Sequence, residues 1–316
     1  MNDFAPVLVV GFNRPLMIRE TLQNLIVCNE IDKHEVFVCV DGPRSISDES
    51  KVDEVLSVIE EVCNKGNISP RIIKRKENFG GVKNMRSAID EMLDSYGRVI
   101  VVEDDILVSK TFLQYMESAL RHFENDSRIW AINGYLDFKC RVPKSWPAGY
   151  FFAPRHSAWG WATWKSRWRA VDFDIADWRS DRTDPSVCEE LKKAGGDVVR
   201  MLDAQMAGLL NAWDVQCTYY MRKNGMYTIR PRMSLTKNNG FGTECEHCST
   251  RSPCYSKQEY FNFLPSFDDS VAQDSKMIDL FANSLSRTFS QRIGDRIKRA
   301  YVEMFGAAHR HPTSVI

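Results

Sequence analysis

Val99-Ile100-Val101-Val102-Glu103-Asp104-Asp105 is an unbroken aliphatic run that ends abruptly in three carboxylates. Aliphatic residues without polar alternation predict a short strand covered on both faces, as in a largely parallel sheet with helices packed on each side. Upstream, Val82, Met85, Ile89, Met92 and Leu93 mark one face of a helix that starts near Gly81 and hands over at Tyr96-Gly97. Further back, Arg71-Ile72-Ile73 reads as a third short strand, and Val52, Val55, Leu56, Ile59 and Cys63 repeat the helical spacing. Val36 to Val40 is a second strand and Ala5 to Val10 a first, with Pro15 suited to the opening turn of a helix whose apolar face is Ile18, Leu22, Leu25 and Ile26. Four strand-helix units in this order predict a doubly wound α/β sheet, with ligands held at the carboxyl ends of its strands.

That topology locates the chemistry. Gly11-Phe12-Asn13-Arg14, Asp41-Gly42-Pro43-Arg44 and Glu103-Asp104-Asp105 each follow a strand directly, so all three should gather at one edge. Each taken singly also reads as ordinary turn chemistry. Three adjacent carboxylates repel one another, and a cation neutralises them most cheaply. All-oxygen ligation favours Mg²⁺ or Mn²⁺, bound through one carboxylate and substrate phosphates rather than in a closed protein cage. The competing reading is that Asp104 or Asp105 caps the following helix, whose buried face is Phe112, Met116, Leu120 and Phe123.

The chain of 316 residues is 43% hydrophobic and 27% charged, which is ordinary globular usage. Its 42 basic and 42 acidic side chains balance, so no overall field draws it to a polyanion, and nucleic acid is not an expected partner. Met1 to Pro6 has no secretory pattern, and no stretch has the length of a membrane-spanning helix. The nine cysteines are scattered through apolar stretches and read as reduced thiols, so the expected compartment is the cytoplasm.

After about Tyr135 the texture changes. Residues 139 to 183 are rich in Arg and Trp, including Trp146, Trp159, Trp161, Trp164, Trp168 and Trp178, with weak periodicity. Met201 to Ala212 looks helical, Tyr227-Thr228-Ile229 looks like a strand, and Asn238-Asn239-Gly240-Phe241-Gly242 is a turn. Between Ser284 and Phe305, Arg292, Arg296, Lys298 and Arg299 alternate with Ile293, Ile297 and Tyr301 in a basic amphipathic helix. Such a helix packs on its own domain, on a partner subunit, or peripherally on the inner face of a membrane.

These motifs resemble those of glycosyltransferases of the GT-A fold, and within them the family of the Golgi N-acetylglucosaminyltransferase that starts hybrid glycans, together with its bacterial relatives. The likeness extends over roughly residues 5 to 250 and implies a mostly parallel twisted sheet flanked by helices. It divides the chain into a nucleotide-sugar-binding half at 1–135, an acceptor-binding and catalytic half at 136–255 and a C-terminal helical extension at 256–316. Val102-Glu103-Asp104-Asp105 looks like the family's Glu-Asp-Asp motif, in which the last carboxylate binds the metal; the resemblance gives Asp105 that role and puts Glu103 and Asp104 near the ribose and the sugar. It also implies that Arg14 and Asp41 lie in the two nucleotide loops, with Asp41 on the uracil side. The resemblance further places Asn84 on a helix against the nucleotide, where the family has His.

In the second half, Gly160-Trp161 with Trp164 and Trp168 resembles a loop near donor and acceptor; most of the tryptophans read as core, while Trp161, with Trp159 beside it, could offer a sugar ring an acceptor platform. Trp213-Asp214, then Arg230-Pro231 and the turn at Gly240, parallel a segment that carries the catalytic base. Asp214 takes that role, with Asp203 the weaker candidate. His247 stands near a family His beyond the glycine turn, within reach of metal or diphosphate. The implied reaction is inverting transfer from a nucleoside-diphosphate sugar, UDP-GlcNAc first among several, to a glycan, lipid-linked or protein hydroxyl, with Mn²⁺ or Mg²⁺ as cofactor.

Other readings stay open. A nucleotidyltransferase shares the sheet-edge site, although Gly11 to Arg14 is short for its Gly-rich loop, and a non-catalytic carbohydrate-binding protein could share the fold. Cys245, Cys248, Cys254 and His247 loosely satisfy zinc spacing but lack a second C-x₂-C pair.

Overall fold

A computed structural model describes residues 3–241 and 258–285 of the protein. Val7–Gly11 (β1), Val36–Val40 (β2), Arg71–Lys74 (β3) and Arg98–Glu103 (β4) pair in parallel in the order β3-β2-β1-β4. They alternate with the helices Pro15–Leu25 (α1), Ile46–Lys65 (α2) and Gly81–Tyr96 (α3). Neighbouring residues of β1 face opposite ways, as the strand period requires. Val7 and Val9 join Ile18, Leu22, Val52 and Ile59 of α1 and α2 in one core. Leu8 and Val10 join Met85, Ile89 and Leu93 of α3 in the other. Both faces are therefore covered, which is why the strands carry no polar alternation. Helix α3 ends at Gly97, which takes a left-handed φ of 74° and returns its N–H to the Leu93 carbonyl.

The second half extends the same sheet. Its elements are Ile106–Val108 (β5), Phe112–His122 (α4), Ile129–Asn133 (β6), Tyr150–Ala153 (β7), Trp161–Trp164 (β8), Lys165–Trp168 (α5), Trp178–Asp181 (α6) and Pro185–Lys193 (α7). Val198–Met206 (α8), Trp213–Lys223 (α9), Tyr227–Pro231 (β9), Thr236–Asn238 (β10) and Ser275–Ser284 (α10) follow. The complete order is β3-β2-β1-β4-β8-β6-β9-β7. β8 lies antiparallel between β4 and β6, β9 is parallel to β6, and β7 closes the edge antiparallel to β9. β5 and β10 form a separate antiparallel ribbon in which Asn238 sits opposite Ile106.

Two expectations change, and a stretch for which no element was predicted gains two. The Trp-rich stretch contains two strands, β7 and β8, both buried along their whole length. The helix expected over Met201 to Ala212 runs from Val198 to Met206 instead, and the chain turns away at Gly208, whose φ is +67°. Trp161 is fully buried and stacks on Trp130 with ring centres 5.9 Å apart and planes 10° apart. Trp168 and Trp213 pack against it at 5.8 and 5.4 Å. Its indole faces the core rather than a sugar, so the acceptor-platform role falls away. Trp161→Ala is expected to lower the unfolding free energy by about 3–5 kcal/mol in urea denaturation. A loss under about 1 kcal/mol together with a raised acceptor KM would restore the platform reading.

The cysteines among the described residues are free thiols, and all but Cys188 are buried. Burial pushes the Cys39 and Cys63 thiols up to about 11. Among the described residues, no helix is long and apolar enough to cross a membrane. His247, Cys245, Cys248, Cys254 and the basic helix around Arg292 to Arg299 lie outside the described residues.

Candidate active site

A cleft of about 510 Å³ opens at the carboxyl ends of β1, β2 and β4. It is lined by Arg14, Asp41, Asn84, Glu103, Asp104, Asp105 and Asp214. Six of these come from the first half; Asp214 is brought to them by α9. Trp159, not Trp161, lines the cleft, with its ring edge-on to Tyr135 at 4.4 Å. Asp203 lies outside it, bonded to Arg182 Nε at 2.9 and 3.1 Å and accepting from the Trp178 indole, so its carboxylate is occupied elsewhere.

The acidic tip is held by its backbone. The Asp104 amide donates to the Val10 carbonyl, Thr21 Oγ1 donates to the Asp104 carbonyl at 2.7 Å, and the Asn239 amide donates to the Asp105 carbonyl at 2.8 Å. Gly240 lies against the Asp105 carboxylate so closely that a Cβ there would overlap it. Glycine at 240 is thus a requirement of close approach.

The carboxylates do not stand bare. Arg14, on the short link between β1 and α1, donates through Nε to Asp104 Oδ2 at 3.2 Å, through Nη2 to Asp104 Oδ1 and through Nη1 to Asp105 Oδ2 at 3.1 Å. Burial works against the charge of Arg14, but Asp104 and Asp105 outweigh it and its pKa is raised. The neutralising role that the sequence reading gives to a metal ion is filled here by a guanidinium. It is filled only in part, because Asp105 Oδ1 is buried without a hydrogen-bond partner. Burial, then the Asp105 and Asp104 charges, push the Glu103 carboxyl well above the usual range. Among the described residues no three His, Cys, Asp or Glu side chains form a metal cage.

Asp41 is 2% exposed, and its oxygens accept four hydrogen bonds. The donors are the amides of Gly42, Phe79 and Gly80 at 2.8 to 2.9 Å and Asn78 Nδ2 at 3.2 Å. Four donors match the lone pairs of a carboxylate. Asp41 therefore builds the cleft wall by fixing the loop that opens α3, and none of its acceptor capacity is left over for a nucleobase. Asp41→Ala is expected to cost about 2 kcal/mol or more of stability and to speed hydrogen exchange at Phe79 and Gly80. Unchanged exchange at those amides would contradict this role.

Asn84 is 1% exposed, and its Oδ1 accepts from Cys39 Sγ and Arg75 Nε, each at 3.2 Å. A guanidinium can only donate, so the amide oxygen must face Arg75. Asp214 lies in the first turn of α9. Burial lifts its pKa above the ordinary carboxylate value, against a lowering by Arg155 and by the Val215 amide. Its neighbour Trp213 packs against His156 with ring centres 5.4 Å apart, and burial keeps that imidazole neutral. Sequence reasoning missed Arg155, whose charge acts on Asp214 and which pairs with Asp197 at 2.7 Å.

A largely parallel sheet with an acidic strand tip, facing a carboxylate contributed by the second half, has the architecture of a GT-A-type glycosyltransferase. Residues 1–175 match the sequence profile of the GNT-I family, more than half of the chain, and the chain belongs to that family. It is similar in structure to S. aureus TarS 1-349, with 14% identity and a TM-score of 0.42 over 75% of this chain and 60% of that one. It is also similar to the glycosyltransferase GlyE of Streptococcus pneumoniae TIGR4, with 8% identity and a TM-score of 0.33 over 71% of this chain and 45% of that one. The chain thus spans less than two thirds of the length of either. No curated protein matches the sequence.

Proposed function

We propose that the protein transfers a sugar, with inversion, from a nucleoside-diphosphate sugar to an acceptor hydroxyl, and that the donor is a UDP-sugar, with UDP-GlcNAc foremost. The observation that carries this reading is the meeting of Glu103, Asp104 and Asp105 with Asp214 in one cleft. A donor lying across the strand ends would have its diphosphate at the acidic tip and its anomeric carbon toward α9. Asn84 is one wall of the nucleotide end, and the loop fixed by Asp41 is another. Helix α3 opens on Gly80 and Gly81 without a side-chain cap, and these residues line the same wall.

Asp214 is suited to accept the acceptor's proton, because a carboxylate whose pKa is raised by burial is a stronger base than one in water. Trp159 borders the space in which an acceptor ring would lie. The fit to a divalent cation rests on the unpartnered, buried Asp105 Oδ1, an oxygen donor beside a desolvated Glu103. Asp105 would hold such an ion together with the donor phosphates, and the ion would supply Lewis-acid stabilisation to the departing diphosphate. Acceptors of this class are glycan, lipid-linked or protein hydroxyls.

The test is a thermal-shift screen of nucleotide sugars with and without Mn²⁺, followed by turnover of the stabilising donor in labelled form. A UDP-sugar is expected to raise Tm most, and only with the cation present. Stabilisation by no nucleotide sugar, or by free sugar alone, would overturn the assignment.

A further inference from the structure

We propose that Arg14 is an internal counter-ion that holds the charge position at the acidic tip until a divalent cation and the donor diphosphate arrive together and displace it. The proposal rests on the metal-dependent donor reading above and adds a residue that couples the two ligands. Three features of the geometry support it.

The first is the bonding. One guanidinium makes three hydrogen bonds to two carboxylates of the tip, a fork that only arginine can offer. The second is what the bonding leaves over. Asp105 is 8% exposed, yet its Oδ1 has no partner, so the tip has acceptor capacity that Arg14 does not use. The third is the difference in how the partners are anchored and exposed. Asp104 and Asp105 are fixed through main-chain bonds to Val10, Thr21 and Asn239. The Arg14 side chain is 20% exposed, against 4% and 11% for the two aspartates, and lines the open cleft. If one member of the cluster is to move, the structure leaves that motion to Arg14.

A divalent cation on Asp105 would sit beside the Arg14 charge and be repelled by it, so the ion alone binds weakly. The donor diphosphate removes the conflict by offering the guanidinium a bidentate anion of its own. By linkage, whatever tightens the cation in the presence of diphosphate must tighten the diphosphate in the presence of the cation by the same factor.

The experiment is a Mn²⁺ titration of the full chain followed by electron paramagnetic resonance, with and without UDP, for wild type, Arg14→Gln and Arg14→Lys. Arg14→Gln is expected to bind Mn²⁺ alone about tenfold tighter than wild type or more, since one adjacent like charge is gone. Its gain in Mn²⁺ affinity on adding UDP is expected to be smaller than that of wild type. Arg14→Lys, which keeps the charge but loses the fork, should fall between the two and carries the test if the glutamine variant does not fold. Should Arg14→Gln bind Mn²⁺ no tighter than wild type while wild type binds it with UDP, the counter-ion role fails and the metal-dependent reading stands. Should no variant bind Mn²⁺ with or without UDP, both fail.

Discussion

Replacing Asp214 by Asn is expected to lower kcat by about 10²–10⁴ and to leave the affinity for donor nucleotide nearly unchanged. The amide keeps the size and position of the carboxylate at the start of α9 but cannot take a proton. The affected interaction exists only as the acceptor oxygen attacks, so the loss should fall on kcat rather than on donor binding. Stability should move the other way. Burial lifts the Asp214 pKa above its ordinary value of 3.8, so the unfolded chain gives up this proton at lower pH than the folded one. Folding is therefore progressively opposed as pH rises from the unfolded pKa to the raised folded one, and above that window the full cost remains. Asp214→Asn removes this cost, and at neutral pH the variant should unfold at an equal or higher temperature than wild type. In wild type the acid limb of the kcat profile should lie above the ordinary carboxylate range. Full activity in the asparagine variant, or a kcat loss matched by equal loss of donor affinity, would remove Asp214 from the base role.

Asp105→Ala is expected to lower kcat/KM by about 10²–10³, the scale of losing one electrostatic contact to a developing charge. The distinguishing result is where the loss appears. Without Asp105 the tip loses its one buried, unpartnered oxygen, and Arg14 keeps only its bonds to Asp104. Mn²⁺ should then no longer raise the Tm of the UDP-bound protein, and EDTA should have little further effect on residual activity. If the variant responds to EDTA as wild type does, the cation is held elsewhere.

The first four strands and the apolar face of each helix between them could be read from sequence because those signals are local. Val7 to Val10 and Val99 to Val102 are continuously apolar, and α1, α2 and α3 carry their buried residues at helical spacing. The gathering of residues 14, 41 and 103 to 105 then followed from topology, and the place of Asn84 from the family resemblance. What could not be read were pairings between distant positions. Nothing local marks Trp161 to Trp164 as a strand placed between β4 and β6, since aromatic residues suit a core, a loop or a binding platform alike. The partners of charged groups were equally hidden. Arg14 meets Asp104 across 90 residues, and Asp41 is saturated by a loop 37 to 39 residues further on. In both cases the resemblance implied a contact with ligand, and the geometry shows one with the protein.

The position of β8 also determines how the molecule can be divided. Ile100 and Val101 of β4 have β1 on one side and Ala162 and Trp161 of β8 on the other, so the nucleotide-side strands are completed by a segment encoded well beyond residue 135. A fragment cut there would expose an unsatisfied, wholly aliphatic sheet margin, the feature that drives strand-to-strand aggregation. Grafting donor specificity by exchanging N-terminal fragments between relatives would therefore have to carry β8 along with them.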